Sequence, residues 1–362
     1  MPTTELPLTT FTPTRPQPAT PENPLGLAGI AFVEFAGPNP AEFERVFRAL
    51  GFSRTRQHAT APIDYYNQNH IHFLVNHTQN THASAFAQAH GQSAPGLGFW
   101  VHNAQHAFDE AVRRGAKPFS SENHPLPFPA IYGLGDSLLY FVDAGPNAAC
   151  PFDTHFVPHT NPVTEPPKGF LFVDHLTNNV HQGTRDVWAT FYKDVFGFTE
   201  IQYFDIRGAQ TGLTSFALKS PCKGFSIPIN EGTEAKSQIE EYLREYNGPG
   251  IQHIALASTD LLNSLDQLAG CGIQTLDIDD EYYKTVFTRV PNVREDHTRI
   301  QHHQVLVDGN PDGYLLQIFT QNLFGPIFFE LIQRANNDKF GEGNFGALFK
   351  SIERDQARRG VL

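Results

Sequence analysis

A chain of 362 residues, 40% hydrophobic and 18% charged, has apolar mass for about two folded domains. Its net charge of −12 comes without a basic stripe, and no apolar run nears the roughly 18 residues that span a bilayer, so neither nucleic acid nor membrane is an expected partner. Cys150, Cys222 and Cys271 are odd in number and widely spaced, which fits neither a disulfide framework nor a CxxC metal site and points to a reducing cytoplasm.

Residues 1–23, "MPTTELPLTTFTPTRPQPATPEN", are rich in Pro and Thr, lack the apolar core of a signal peptide and are too poor in Arg for a transit peptide; a flexible tail is expected. A strand follows in "LAGIAFVEFAG" (27–37). Next comes a helix in "EFERVFRALGF", where Phe43, Val46, Phe47 and Leu50 recur at helical spacing. Strand-forming "DYYNQNHIHFLV" precedes a second cycle, with strand "APGLGFWVHN" (94–103), helix "AFDEAVRRGA" and strand "SLLYFVD". "NAACPFDTHFVPHTNPVTEPP" (147–167) is dense in Pro and Asn and reads as a linker, which puts a first domain at 24–150 and the linker at 151–167.

From residue 168 the pattern starts again. "KGFLFVDHLTN" (168–178) leads to a helix in "DVWATFYKDVFGF", with Trp188, Phe191, Tyr192 and Val195 on one face, and to strands "TSFAL" and "FSIPIN". "GPGIQHIALAS" (248–258) then leads to helix "LLNSLDQLAGCGI" and strands "YLLQIFT" and "IFFELI". Strand, helix, several strands thus occurs four times. An α+β fold is expected, with domains 24–150 and 168–362 each built of two βαβββ modules that form an open barrel.

Aligning the halves sets His175 of "FVDHL" against Phe35 and His253 of "PGIQH" against Phe99. A lone histidine in an apolar strand is usually a hydrogen-bonded core residue. Two at matched positions of one half, where the other half has plain hydrophobes, call for another reason. Two imidazoles completed by a carboxylate make the facial triad of oxygen-activating metal sites. Glu330 in "GPIFFELIQR" (325–334) supplies the carboxylate, sharing a strand face with Phe328 and Ile332; its counterpart in the first half is Tyr140. A rival cluster, His297, His302 and His303, lies in polar "NVREDHTRIQHHQ", a solvated stretch.

"FVDHLTNNV", "PINEGTEAKSQIEEYL", "GPGIQHIAL", "DGYLLQIFT", "GPIFFELIQR" and "FGEGNFGALFKSIERDQ" resemble, in the same order, the motifs of 4-hydroxyphenylpyruvate dioxygenases. The resemblance is close over 168–362 and mainly architectural over 25–150. It implies the vicinal oxygen chelate fold and Fe(II) held by His175, His253 and Glu330. The reaction implied consumes 4-hydroxyphenylpyruvate and O2 and yields homogentisate and CO2, a step of tyrosine breakdown.

The same resemblance gives catalytic roles to Gln238, Gln252, Gln317 and Asn344, and places Ser215, Asn230, Phe319, Phe328, Phe340 and Phe345 against the substrate. Gln252 adjoins His253, so strict alternation turns it away unless the strand is bulged. Asn344 can cap a C-terminal helix through "GALFKSIERDQARRG", which is expected to close the second barrel, with glycines 341, 343 and 346 letting it swing. Lys339 departs from the glycine common in the family. A homo-oligomer is expected. The competing readings are 4-hydroxymandelate synthase, an extradiol ring-cleaving dioxygenase, and a non-catalytic binding protein of the same fold.

Overall fold

The structure, a computed structural model, describes residues 16–208 and 210–361. Of the expected tail, residues 1–15 lie outside the described residues. Residues 16–23 end in a turn closed between Thr20 and Asn23, and the Asn23 side chain is bound to both backbone groups of Leu27 (2.8 and 2.9 Å). The end of the tail is therefore pinned to the first strand.

The first sheet comprises β1 (Leu27–Ala36), β2 (Ser53–His58), β3 (Ile63–Gln68), β4 (Ile71–Asn76), β5 (Ser93–Val101), β6 (Ala130–Tyr132), β7 (Leu138–Asp143) and β8 (Phe156–Val163), ordered β6-β7-β5-β1-β4-β3-β2-β8. The second comprises β9 (Phe170–Val180), β10 (Thr199–Arg207), β11 (Gly212–Lys219), β12 (Ser226–Gly232), β13 (Gly250–Ser258), β14 (Leu306–Asn310), β15 (Gly313–Phe319) and β16 (Phe328–Ala335), ordered β10-β11-β12-β9-β13-β16-β15-β14. In the second sheet β9 and β13 pair antiparallel at the centre, and each pairs in parallel with the last strand of its own module, β12 or β16. Both domains are curled eight-stranded sheets, as the repeat implied.

The first sheet departs from the plan at its edges. Its second module supplies only β6 and β7 after the helix, with one isolated bridge, Pro118 to Ile131, beyond them. The eighth strand is β8, which pairs with β2 and comes from the segment read as a linker. That reading is corrected: a short helix (Pro151–Thr154) and β8 occupy most of 151–167. Pro158 and Pro162 hid the strand, and they are tolerated because β8 lies at an edge.

Helices cover the outer face of each sheet, and the two covered faces share one apolar core. The helix Pro40–Ala49 buries Phe43, Val46 and Phe47 as its spacing predicted. The helix Arg185–Phe196 is turned slightly from expectation: Ala189, Tyr192, Val195 and Phe196 are buried, while Trp188 and Phe191 are only partly so. Aromatic rings tie the halves together. Phe324 of the second domain has its ring 4.7 Å from Phe43, 5.5 Å from Phe47 and 5.8 Å from Phe35. Phe99 of the first packs 5.6 Å from Phe196 and 5.5 Å from Phe225 of the second.

Phe324→Ala empties the centre of this joint and should destabilise the protein by about 3–5 kcal/mol in chemical denaturation. A loss below about 1 kcal/mol, the typical cost of an arbitrary substitution, would show that this ring does not hold the halves together. Among the described residues, no helix is long and apolar enough to cross a membrane, and the three cysteines are unpaired.

Candidate metal centre

His175 on β9, His253 on β13 and Glu330 on β16 come from three neighbouring strands. In the ladder His175 stands beside Ala255 and Ala255 beside Glu330, while His253 stands beside Thr177. All three side chains project onto the inner face of the curl. His175 Nε2 lies 3.1 Å and His253 Nε2 lies 3.4 Å from the same oxygen, Glu330 Oε2. Among the described residues this is the one group of three His, Cys, Asp or Glu side chains whose ligand atoms all lie within 4.8 Å of one another. His297, His302 and His303 form no such group: His297 stacks on Phe287, and His303 Nε2 meets Asp266.

The donor set suits a divalent first-row metal. Each imidazole has its Nδ1 engaged, His175 with Asp174 Oδ2 (2.7 Å) and His253 with Gln252 Oε1 (3.1 Å). Both rings therefore turn Nε2 toward the carboxylate, where each nitrogen, once free of a proton, would offer its lone pair to a cation. Separations near 3 Å are those of neighbouring ligands around a cation bonded at roughly 2.1 Å.

The first domain shows what the same ladder becomes without ligands. Phe32 stands beside Gly98, which stands beside Tyr140, and Glu34 stands beside Gly96. The inner-face counterparts of His175, His253 and Glu330 are thus Phe32, Gly96 and Tyr140. Tyr140 is where the sequence comparison put it. Phe35 and Phe99 are not; both lie on the outer face in the shared core. Register shifts in β1 and β9 break the strict alternation on which residue-by-residue alignment relied. A Cβ at Gly96 would lie 2.5 Å from Glu34 Oε2 and 2.6 Å from the Tyr140 ring, so no imidazole fits. The space is filled instead by Glu34, which accepts from Tyr140 (2.8 Å) and Asn76 (2.7 Å). Burial holds its carboxyl above the ordinary range despite those two bonds.

In the second domain burial alone would discharge His175, but the Glu330 and Asp174 carboxylates outweigh it and push its pKa up to about 9. Burial likewise opposes charge on Glu330, yet the two imidazoles bring it down to about 2. For His253 burial prevails over its contact with Glu330, and the pKa falls. At neutral pH the cation-free centre therefore holds one imidazolium, one neutral imidazole and one carboxylate.

A histidine raised from 6.5 to about 9 contributes stability that is complete below pH 6.5 and lost as pH climbs through about 9. A metal must displace that proton, so its affinity runs the opposite way and grows over the same interval. Thermal scans with and without added Co(II) should show a metal-induced rise in Tm that increases from pH 6.5 to 9. A rise independent of pH would mean that no proton is exchanged.

Above the three ligands lies a cavity lined by Ser215, Asn230, Gln238, Gln252, Gln317, Phe319, Phe328, Phe340 and Phe345. Every expected substrate-side residue except Asn344 therefore reaches it. Gln252 does so because β13 is bulged at that position: Ile251 pairs with Asn178 and His253 with Thr177, leaving Gln252 as the extra residue. Asn230 Nδ2 donates to Gln252 Oε1 (3.4 Å), and Gln317 Nε2 to Glu330 Oε1 (3.3 Å). Phe328 stacks on His253 with centroids 4.9 Å apart, and the Phe340 ring lies 5.3 Å from His175.

Asn344 is fully buried behind the cavity. It precedes the helix Phe345–Arg358 but makes no side-chain cap, which corrects that expectation. Its amide donates to Gln317 Oε1 (3.1 Å) and its carbonyl accepts from Tyr282 (2.6 Å), so it steadies Gln317 from the rear. Gly341, at φ +76°, is required here, because a Cβ would lie 1.9 Å from Gln317 Oε1.

Residues 21–157 match the N-terminal domain of hydroxyphenylpyruvate dioxygenase, and residues 173–318 match the glyoxalase/bleomycin resistance protein/dioxygenase superfamily. Protein MelA of Shewanella colwelliana is 55% identical over 345 residues, covering 95% of this chain and all of the relative. The 4-hydroxyphenylpyruvate dioxygenase of Legionella pneumophila strain Philadelphia 1 is 44% identical over 346 residues, covering 94% of this chain and 98% of the relative. The chain belongs to the 4-hydroxyphenylpyruvate dioxygenase family. Among solved structures, a triple mutant of 4-hydroxymandelate synthase from Streptomyces coelicolor shares the fold, with a TM-score of 0.77 over 91% of this chain and 99% of its own, at 23% identity.

Some parts of this dioxygenase-family centre were not found in the sequence. Phe204, Ile206 and Leu213 also line the cavity; as strand hydrophobes they carried no signal apart from core residues, whereas Leu348, Phe349 and Ile352, which line it too, lie on the apolar face of the C-terminal helix expected to close the barrel. Asp174 and Arg334 form a buried, two-bond pair behind His175. Burial opposes the charge of Asp174, but Arg334 and His175 hold its carboxyl far below the usual range. Here a signal existed: an Arg four residues after Glu330, near the end of a largely buried strand, needs a buried anion.

Proposed function

We propose that the chain converts 4-hydroxyphenylpyruvate and O2 to homogentisate and CO2, with Fe(II) held by His175, His253 and Glu330. The observation that carries this reading is two imidazole Nε2 atoms converging on one buried carboxylate oxygen at the floor of a cavity walled by phenylalanines. Held by these three residues, Fe(II) would supply the Lewis acidity and redox chemistry that a 2-oxo acid and O2 need in order to react. The substrate supplies its own oxidisable keto acid, so no second 2-oxo acid is required, and the overall reaction balances with no other reductant.

The protein's own tasks are binding, orientation and exclusion of water. A divalent cation beside Glu330 leaves the ligand set with one positive charge, and an anionic 2-oxo acid neutralises it, so the buried complex is favoured over the empty centre. Phe340, Phe345, Phe319 and Phe328 hold the aromatic ring by apolar contact. Ser215, Asn230 and Gln238 offer hydrogen bonds to the phenolic hydroxyl at the far end. Gln252 fixes the tautomer of His253, and Gln317, held by Asn344, orients Glu330. The C-terminal helix, through Leu348, Phe349 and Ile352, keeps water from the reacting atoms.

Oxygen uptake with 4-hydroxyphenylpyruvate, measured with ferrous iron added and with iron chelated, tests this directly. The expected result is iron-dependent uptake with one homogentisate and one CO2 formed for each O2. Hydroxymandelate as the product would replace the reaction while keeping the iron site. Substrate binding without any oxygen uptake would leave only a binding protein.

A further inference from the structure

Behind His175 a single guanidinium holds two things at once. Arg334 Nε and Nη2 grip Asp174 through both carboxylate oxygens (2.7 and 2.8 Å), and Asp174 Oδ2 also accepts from His175 Nδ1 (2.7 Å). The third nitrogen, Nη1, turns the other way and donates to the carbonyls of Asn337 (3.0 Å) and Lys339 (2.6 Å). The Lys339 carbonyl belongs to the peptide that begins Phe340. The guanidinium also sits 5.7 Å from the centroid of the Phe340 ring, the ring that meets His175.

Asp174 can take part because it is the extra residue of a bulge. His175 pairs with Ala255 and Val173 with Leu256, so the aspartate is released from alternation and turns toward the imidazole beside it. Both side chains of the pair are nearly inaccessible, 7% exposed for Arg334 and 10% for Asp174. Stability alone is a weak reason for such a pair, since well-packed hydrophobes usually serve as well. What a hydrophobe cannot do is use four N–H bonds to lock a carboxylate and two backbone carbonyls in one plane.

We infer that Arg334 is a positioning residue that couples the metal-ligand imidazole of His175 to the segment 337–340 carrying the Phe340 wall of the cavity. The inference rests on the metal reading given above. An imidazole swung into place by a bound cation pulls on Asp174, Asp174 on Arg334, and Arg334 on the Lys339–Phe340 peptide. By thermodynamic reciprocity, closure of that segment favours the ligand geometry in return.

Lys339 is exposed, so trypsin cleavage of the Lys339–Phe340 bond, followed by mass spectrometry, reports the state of the segment. Co(II) binding by chelator competition and by its visible spectrum reports the centre. In the unaltered protein Co(II) should bind and slow cleavage at that bond. In Arg334→Lys, which keeps the charge but loses the planar fork, Co(II) affinity should fall about 10–100-fold and the cobalt-dependent protection should vanish. The double variant Asp174→Asn/Arg334→Met leaves no buried charge unpaired and serves as the second reading if the lysine variant does not fold; the same two losses are expected.

A merely structural role would lower Tm while leaving both readouts unchanged. Co(II) affinity within about twofold of the parent, well short of what an outer partner of a ligand is worth, would overturn the inference, and so would cobalt protection that persists after affinity is lost. Failure of the unaltered protein to bind Co(II) would instead remove the metal reading, and this inference with it.

Discussion

Glu330→Gln is expected to abolish metal binding and turnover together, with oxygen consumption down by about 10³-fold or more, equivalent to roughly 4 kcal/mol of lost transition-state stabilisation. Glutamine keeps the shape of the side chain, so the effect isolates its charge. Two neutral imidazoles cannot by themselves offset the cost of desolvating a divalent cation in a buried site. The fold should survive. Losing the carboxylate removes one of the groups that keep His175 protonated, and the ring can shed its proton while Asp174 stays paired with Arg334. Iron content by metal analysis, far-UV circular dichroism and oxygen uptake make the test. Stoichiometric iron in a folded Glu330→Gln protein would show that the ion is held elsewhere.

Removing residues 341–362 should lower turnover by about 10²-fold or more, because misplacement of a reacting group by even a small distance costs that much, while both sheets remain. The deleted part contributes Phe345, Leu348, Phe349 and Ile352 to the cavity wall and Asn344 to the support of Gln317. It also carries Glu353, whose carboxylate caps the loop before β11 by accepting from the backbone N–H of Gln210 (2.9 Å) and Thr211 (3.1 Å). Three of the ion pairs along the helix, Lys350 and Arg354 with Asp279 and Arg358 with Asp277, are largely exposed and add little each, while Arg359 also meets Asp355 and the half-buried Glu241. Salt should therefore loosen the helix only slightly, whereas deletion opens the reacting centre to water. Turnover unaffected by the deletion, in a protein of unchanged circular dichroism, would refute the role of the helix as a cover.

The three side chains of the candidate metal centre were legible because charge and imidazole inside apolar strands are conspicuous, and because the repeat gave each one a ligand-free partner for contrast. The contrast held for Tyr140 but misplaced Phe35 and Phe99. Bulges in β1 and β9 shift the inward face along the strand, and pattern matching cannot count residues that a ladder leaves unpaired. The same device explains Gln252, which alternation alone would have turned away. Asn344 looked like a helix cap because its position and residue type fit one; tertiary hydrogen bonds to Gln317 and Tyr282 claim its side chain instead. β8 was concealed by two prolines that an edge strand accommodates. The Asp174–Arg334 pair was missed since each residue is ordinary by itself and only the fold brings them together across 160 positions.

The interlocked rings between the halves carry one more consequence. Cut at residue 168, the part bearing all three ligands would expose Phe196, Phe225 and Phe324, whose neighbours Phe99, Phe35, Phe43 and Phe47 would be gone. The first half thus acts as a permanent buttress. It is bound to keep a precise aromatic relief, and substitutions there would be felt as lost enzyme long before they touched a reactant.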